Sequence, residues 1–253
     1  MQFKRWMAAL AAAGLFCGSL GITAAAREEY DPWADEDRSS FVLDEEAGKD
    51  LQEEDPEKEK GKPGQTAPAE GTPQALLDEV ELSPSSCRSS QLQELVDSIL
   101  DEIIEEDMDT YEKVKACYDY VASTVTYGSH MRNLGAAVGD TTCAQIYADY
   151  GEIEGFGAVA LSAKTGMCNA YASAFLLLIR PLGLNGHLVA GQTGRAGGGY
   201  AYHEWAEIDL NEESYLFDPQ LEQDLTAAGL PAYMVFCRTY DEVPGRYLIS
   251  YRK

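Results

Sequence analysis

Apolar residues recur at three- and four-residue steps through Leu92, Leu95, Val96, Ile99, Leu100, Ile103 and Ile104, so one apolar stripe runs along a helix predicted from Ser90 to Glu106. Asp109 stands three residues ahead of Glu112, the spacing of a capping box, and Tyr111, Val114, Cys117, Tyr118 and Val121 continue on one face. A second helix is therefore predicted to about Ser123. From Met131 to Gly157 the chain is rich in Gly, Asp and Thr and shows little period. It reads as a long loop with one short helical piece near Ala144 to Tyr150. A short helix from Ala158 to Lys164 leads to the run Met167 to Ile179, which is apolar almost all round and reads as a buried helix closed by Pro181 and Gly183.

Beyond it the period shortens to two. Strands are predicted at His187 to Thr193, Tyr202 to Leu210 and Ser214 to Asp218, the first two joined by the glycine-rich tip Gly194 to Gly199. Further strands are expected at Tyr233 to Cys237 and Arg246 to Tyr251. Short connections favour antiparallel pairing, and helices followed by strands give an α+β fold rather than an alternating α/β one.

Composition divides the chain. Its 253 residues carry 43 acids against 19 bases, a formal charge of −24, which argues against nucleic acid and anionic membranes as partners. Residues 1–26 combine a basic start (Lys4, Arg5), an apolar run from Met7 to Ile22 and the close Thr23-Ala24-Ala25-Ala26, the pattern of a secretory signal. The apolar run is shorter than the roughly 20 residues a spanning helix needs, so no stable membrane span is expected after cleavage. Residues 27–86 hold nineteen acids and six bases with little apolar surface, and read as a disordered acidic linker. Leu76, Leu77 and Val80 suggest a short helix near its end. Residues 87–253 are long enough for one domain with a real core. The expected setting is secreted or at the cell surface.

The candidate chemistry lies in that domain. Cys168 falls at the N-terminal end of the buried helix, where the macrodipole and unpaired backbone N–H groups favour a thiolate. A cysteine nucleophile needs a base and a group that orients the base, and His203 and Asp218 fall on neighbouring predicted strands. Singly, each has a plainer reading: a packed core Cys, a structural His, an Asp-Pro turn. Taken in order, Thr165-Gly166-Met167-Cys168-Asn169-Ala170-Tyr171-Ala172, His203-Glu204-Trp205 and Leu216-Phe217-Asp218-Pro219 resemble the transglutaminase-like superfamily. The resemblance covers about Asp109 to Asp218.

It implies a papain-like core with the nucleophile helix packed on an antiparallel sheet, Cys168 as nucleophile, His203 as general base and acid, and Asp218 as the residue that orients His203. The implied activity is acyl transfer through a thioester, with a protein or peptide substrate and with water (protease or amidase) or an amine (transglutaminase) as acceptor. The alternative is a non-catalytic extracellular binding module on the same fold, in keeping with the long acidic spacer and with Asn169-Ala170, where many bacterial relatives resemble Gln-Gly.

Candidate donors for an oxyanion are the Cys168 backbone N–H, Tyr127, His130, Asn169 and Tyr202, while Trp205 shares a strand face with His203 and could shield it. The three histidines, His130, His187 and His203, show no metal spacing, and no cofactor is expected. Cys87, Cys117, Cys143 and Cys237 permit two disulfides or four buried thiols. Oligomeric state is not legible.

Overall fold

The computed structural model describes residues 69, 71–194, 199–243 and 247–253. They fall within one compact unit, Ser39–Lys253. The signal pattern and most of the acidic linker lie outside the described residues.

The chain folds as a helical layer followed by a sheet. Helix α1 (Pro73–Asp78) precedes α2 (Ser90–Ile103) and α3 (Thr110–Thr124). Ser89 caps α2 by accepting from Leu92 N, and the predicted stripe buries Leu92, Val96, Ile99 and Leu100. The capping box of α3 is present in both directions: Glu112 N donates to Asp109 Oδ1 at 2.8 Å and Asp109 N to Glu112 Oε2 at 2.9 Å. Ordered packing begins ahead of the compositional boundary at Cys87. Leu77 of α1 is fully buried, and Ser83 N and Ser85 N donate to Gly183 O and Arg180 O.

The stretch expected to be a loop is mostly regular. After β1 (Thr126–Tyr127) come a 3-10 turn (His130–Asn133), the hairpin β2 (Ala137–Val138) and β3 (Thr141–Thr142), and helices α4 (Cys143–Tyr150) and α5 (Glu152–Ala163). Thus α5 begins six residues before the predicted Ala158. Gly155 and Gly157 gave the loop reading, yet they serve helix packing. A Cβ on Gly155 would stand 2.4 Å from the Tyr147 Cβ, and one on Gly157 would stand 2.3 Å from the Leu177 Cδ1.

The short strand β4 (Thr165–Gly166) pairs in parallel with β1 and leads into α6 (Cys168–Ile179), every residue of which is buried. Helices α3 and α5 flank α6, which also contacts the sheet. Burial of side chains such as Phe175, Leu177 and Leu178 contributes about 1.5–3 kcal/mol each.

The sheet comprises β5 (Gly186–Gly194), β6 (Tyr200–Leu210), β7 (Glu213–Phe217), β8 (Phe236–Arg238) and β9 (Tyr247–Arg252). It is ordered β8-β7-β6-β5-β9 and is antiparallel throughout. Two departures from the predicted pattern matter for the site. Asp218-Pro219, read as a turn, is the N-cap and first residue of helix α7 (Pro219–Ala227), the positions that favour Asp and Pro. The strand expected from Tyr233 is confined to β8, because Tyr233 N and Val235 N donate to the Glu222 carboxylate instead of to a neighbouring strand. This α+β arrangement, with a buried helix against an antiparallel sheet, is the papain-like core expected from the sequence.

Candidate functional site

The candidate residues arrive from three elements. Cys168 opens α6 after the glycine-containing bridge β4, and no side chain caps that helix start. His203 lies on β6 opposite Gly191 of β5, and Asp218 follows β7, the other neighbour of β6. Antiparallel pairing of β6 with β7 therefore brings the two residues together across fifteen positions of sequence. His203 Nε2 lies 2.6 Å from Asp218 Oδ2. The Cys168 thiol is a further hydrogen-bond partner of the imidazole, for which Nδ1 remains. Cys168, His203 and Asp218 are 5%, 4% and 1% exposed, so the cluster is almost dry.

Burial by itself would drive the His203 pKa down. The carboxylate of Asp218 outweighs it, through charge and hydrogen bond, with a smaller push from Cys168, and holds the imidazole pKa well above its ordinary 6.5. Asp218 is fixed in turn. Its Oδ1 accepts from Leu221 N at 3.0 Å, its N–H donates to Val235 O at 3.1 Å, and its Oδ2 accepts from the Tyr247 hydroxyl at 2.8 Å. The Val235 segment is clamped by Glu222, which also accepts from the Tyr118 hydroxyl.

Several of these supports escaped sequence reasoning. Tyr247 and Glu222 sit on elements whose periodicity says nothing of a polar contact across the fold. The Asp-Pro pair was the available signal for α7, and with it for Glu222 one turn on. A further chain backs the imidazole: Trp205 lies near-parallel to His203 with ring centroids 6.2 Å apart. Its Nε1 donates to Tyr240 Oη at 2.8 Å, and that hydroxyl donates to the buried Glu207 at 2.6 Å. Trp205 thus has the neighbouring position expected for it.

Removing the Tyr247 hydroxyl tests how Asp218 is held. Tyr247→Phe leaves Oδ2 with one donor fewer, so more of its negative charge acts on the imidazole and the His203 pKa should rise further, with a stability loss of about 1.5 kcal/mol. An NMR titration of His203 that moves downward, or not at all, would count against this reading.

The candidate oxyanion donors are dispersed. The Tyr202 hydroxyl donates to Glu204 Oε1 at 2.6 Å. Tyr127 is half-buried in β1, paired with Gly166. Asn169 is 8% exposed and its Oδ1 has no partner among the described residues. His130 is buried against Phe156, with ring centroids 4.1 Å apart. The backbone N–H of Cys168 is left as the donor with a defined place, at the uncapped start of α6.

Burial lowers the His130 pKa from 6.5 to about 4, with Glu152 opposing it in part, so His130 is neutral at pH 7. Because the folded-state value lies below the unfolded one, its contribution to stability is present above pH 6.5 and is lost as pH falls toward about 4. The loss should reach roughly 3 kcal/mol. Urea melts of wild type and His130→Leu between pH 7 and pH 4.5 should diverge by that amount. Parallel curves would remove His130 as the acid-labile group.

Cys87, Cys117, Cys143 and Cys237 are buried free thiols. Burial pushes Cys87 up to about 11 and Cys117 and Cys237 up to about 12, and it raises Cys143 as well. They are protonated at neutral pH and make poor nucleophiles. Among the described residues, no group of three or more His, Cys, Asp or Glu side chains is placed to hold a metal ion. Of the glycine-rich hairpin tip, residues 195–198 lie outside the described residues, while Gly194 pairs with Tyr200 at its base.

A buried helix that begins at Cys and abuts strands supplying His and Asp is the architecture of a papain-like core. Residues 97–219 match the family model of the transglutaminase-like superfamily, and the chain carries a domain of that superfamily. No curated protein matches the chain significantly. One similar solved structure is that of a proposed cysteine protease from Cytophaga hutchinsonii, at 16% identity and a TM-score of 0.35, covering 67% of this chain. The match spans 52% of that protein's length, about half of it. Superfamily membership supports a cysteine-dependent enzyme in general terms.

Proposed function

We propose that the protein is an exported cysteine-dependent acyl-transfer enzyme acting on protein or peptide amides, with Cys168 as nucleophile, His203 as acid and base, and Asp218 as the orienting carboxylate. The observation that carries this reading is the dry contact of His203 with both Asp218 and Cys168, where Asp218 stabilises the imidazolium that forms when His203 takes the thiol proton. Transfer of the thiol proton to His203 gives a thiolate and an imidazolium. The thiolate attacks the substrate carbonyl, and the oxyanion that forms is met by the Cys168 backbone N–H. His203 then donates its proton to the leaving amine, the C–N bond breaks, and a thioester remains. Attack by water gives hydrolysis, and attack by an amine gives a new amide; His203 takes the proton from either nucleophile and returns it to Cys168 Sγ.

Export is supported by the pattern of residues 1–26. The second reading, a binding module on this fold, draws support from one observation, the 5% exposure of Cys168.

Because the thiol is so covered, small reagents are the appropriate probe. Iodoacetamide should alkylate Cys168 at neutral pH faster than the other buried thiols, and at least about tenfold more slowly in His203→Ala. Peptide mixtures treated with wild type should then yield cleaved, deamidated or crosslinked products that Cys168→Ala fails to make. Equal alkylation profiles with and without His203, and no product from wild type, would leave the binding module.

A further inference from the structure

We propose that the cleft at the far end of α6 is a binding site for a small molecule carrying one carboxylate, of amino-acid to dipeptide size. The cleft has a volume of about 470 Å³, and Arg88, Glu152, Glu154, Arg180 and Lys253 line it. Arg180 is the C-cap of the helix that Cys168 begins, so α6 separates this cleft from the reactive cluster by roughly 18 Å at 1.5 Å per residue. It is a second place on the molecule.

The charge pattern points to the ligand. Glu154 is saturated, accepting from Arg88 N, Arg88 Nε and Ser89 N at 3.0–3.1 Å. The remaining reach of Arg88 goes to Tyr150 O. Both oxygens of Glu152 are held by Lys253 Nζ at 2.9 Å, and the same ammonium reaches Glu204 at 2.8 Å. Arg180 is different: among the described residues, no hydrogen bond or ion pair engages its guanidinium. The helix end beneath it is already satisfied, because Ser85 N and Gly183 N donate to Arg180 O. Its charge reaches the Ser85–Arg88 wall, where it acts on the Cys87 thiol against the effect of burial.

Arg88 is thus committed to Glu154, and Lys253 to Glu152 and Glu204, which leaves Arg180 as the lining cation without a partner among the described residues. A single negative charge answers that guanidinium. A phosphate dianion would leave one charge unmatched beside Glu152 and Glu154. The planar fork of Arg180 fits a carboxylate with two parallel hydrogen bonds. The volume exceeds the needs of a bare ion and falls in the range of roughly 300–1,000 Å³ occupied by small-molecule sites.

The site is tested on the full chain at low ionic strength with glycylglycine, its C-terminal amide and inorganic phosphate, using ligand-observed NMR. Saturable binding is expected for glycylglycine, at least tenfold weaker for the amide and for phosphate. Arg180→Gln should weaken glycylglycine binding tenfold or more at an unchanged melting temperature. Should Arg180→Gln fold poorly, Arg180→Lys keeps the charge, loses the fork and should bind with intermediate affinity. Equal binding of dipeptide and amide, tighter binding of phosphate, no saturation by wild type, or wild-type affinity in both variants would overturn the proposal. No catalysis enters these measurements, so their failure would leave the acyl-transfer reading untouched.

Discussion

Asp218→Asn should fold and yet lose activity by about a thousandfold or more, the scale seen when the orienting carboxylate of a catalytic triad is neutralised. The fold should survive because Asn is as good an N-cap as Asp, and its Oδ1 can still accept from Leu221 N at the start of α7. What disappears is the negative charge 2.6 Å from His203 Nε2. In wild type that charge outweighs burial and holds the His203 pKa well above 6.5; without it burial prevails, and the pKa should fall below 6.5.

The sign of the stability profile should reverse with it. A raised imidazole pKa contributes stability that is complete below pH 6.5 and lost as pH rises through the folded-state value. A lowered one contributes above pH 6.5 and is lost on acidification. NMR titration of His203 in the two proteins, with Cys168 alkylation rates alongside, reads both effects. An imidazole that still titrates well above 6.5 in Asp218→Asn would show that another group charges it.

Chemistry and packing left different traces in the sequence. Cys168, His203 and Asp218 were legible because an all-apolar run and two alternating stretches mark the elements they open, lie on or follow, and because their order resembles a family pattern. The capping box at Asp109 and Glu112 was legible for a similar reason: its two hydrogen bonds close within four residues. Tyr247 was not, since its contact with Asp218 spans 29 positions and depends on where β9 docks. Glu222 carries the same lesson. A glutamate on a short helix reads as a solvated charge until the fold brings Tyr118, Tyr233 and Val235 to it. The glycines of α5 misled for the opposite reason, because a residue with no side chain looks alike in a turn and in a tight helix contact. Gly155 and Gly157 are placed by Tyr147 and Leu177, which lie eight and twenty residues away.

The same ambiguity gives the largest expected effect of a single methyl group. Gly191 sits in β5, between β6 and the edge strand β9, opposite His203 on one side and Ile249 on the other. A Cβ there would lie 2.1 Å from the Leu248 carbonyl oxygen and 2.8 Å from the Trp205 ring. The first contact is with backbone, so β9 must move away from β5. Tyr247, at the start of β9, would move with it and loosen its grip on Asp218. The second contact presses on a fully buried indole that lies beside His203 and is tied to Tyr240. Gly191→Ala should therefore cost about 3 kcal/mol of stability, at the upper end of ordinary overpacking, and slow Cys168 alkylation at neutral pH. Gly194, at the end of the same strand, has nothing within 4 Å of an added Cβ. Gly194→Ala should fall within about 1 kcal/mol of wild type, on the stabilising side if it changes at all. Urea midpoints of the two variants, measured together, separate local crowding from a general cost of replacing strand glycine. Equal losses in both would mean that close approach of β9 is not what Gly191 provides.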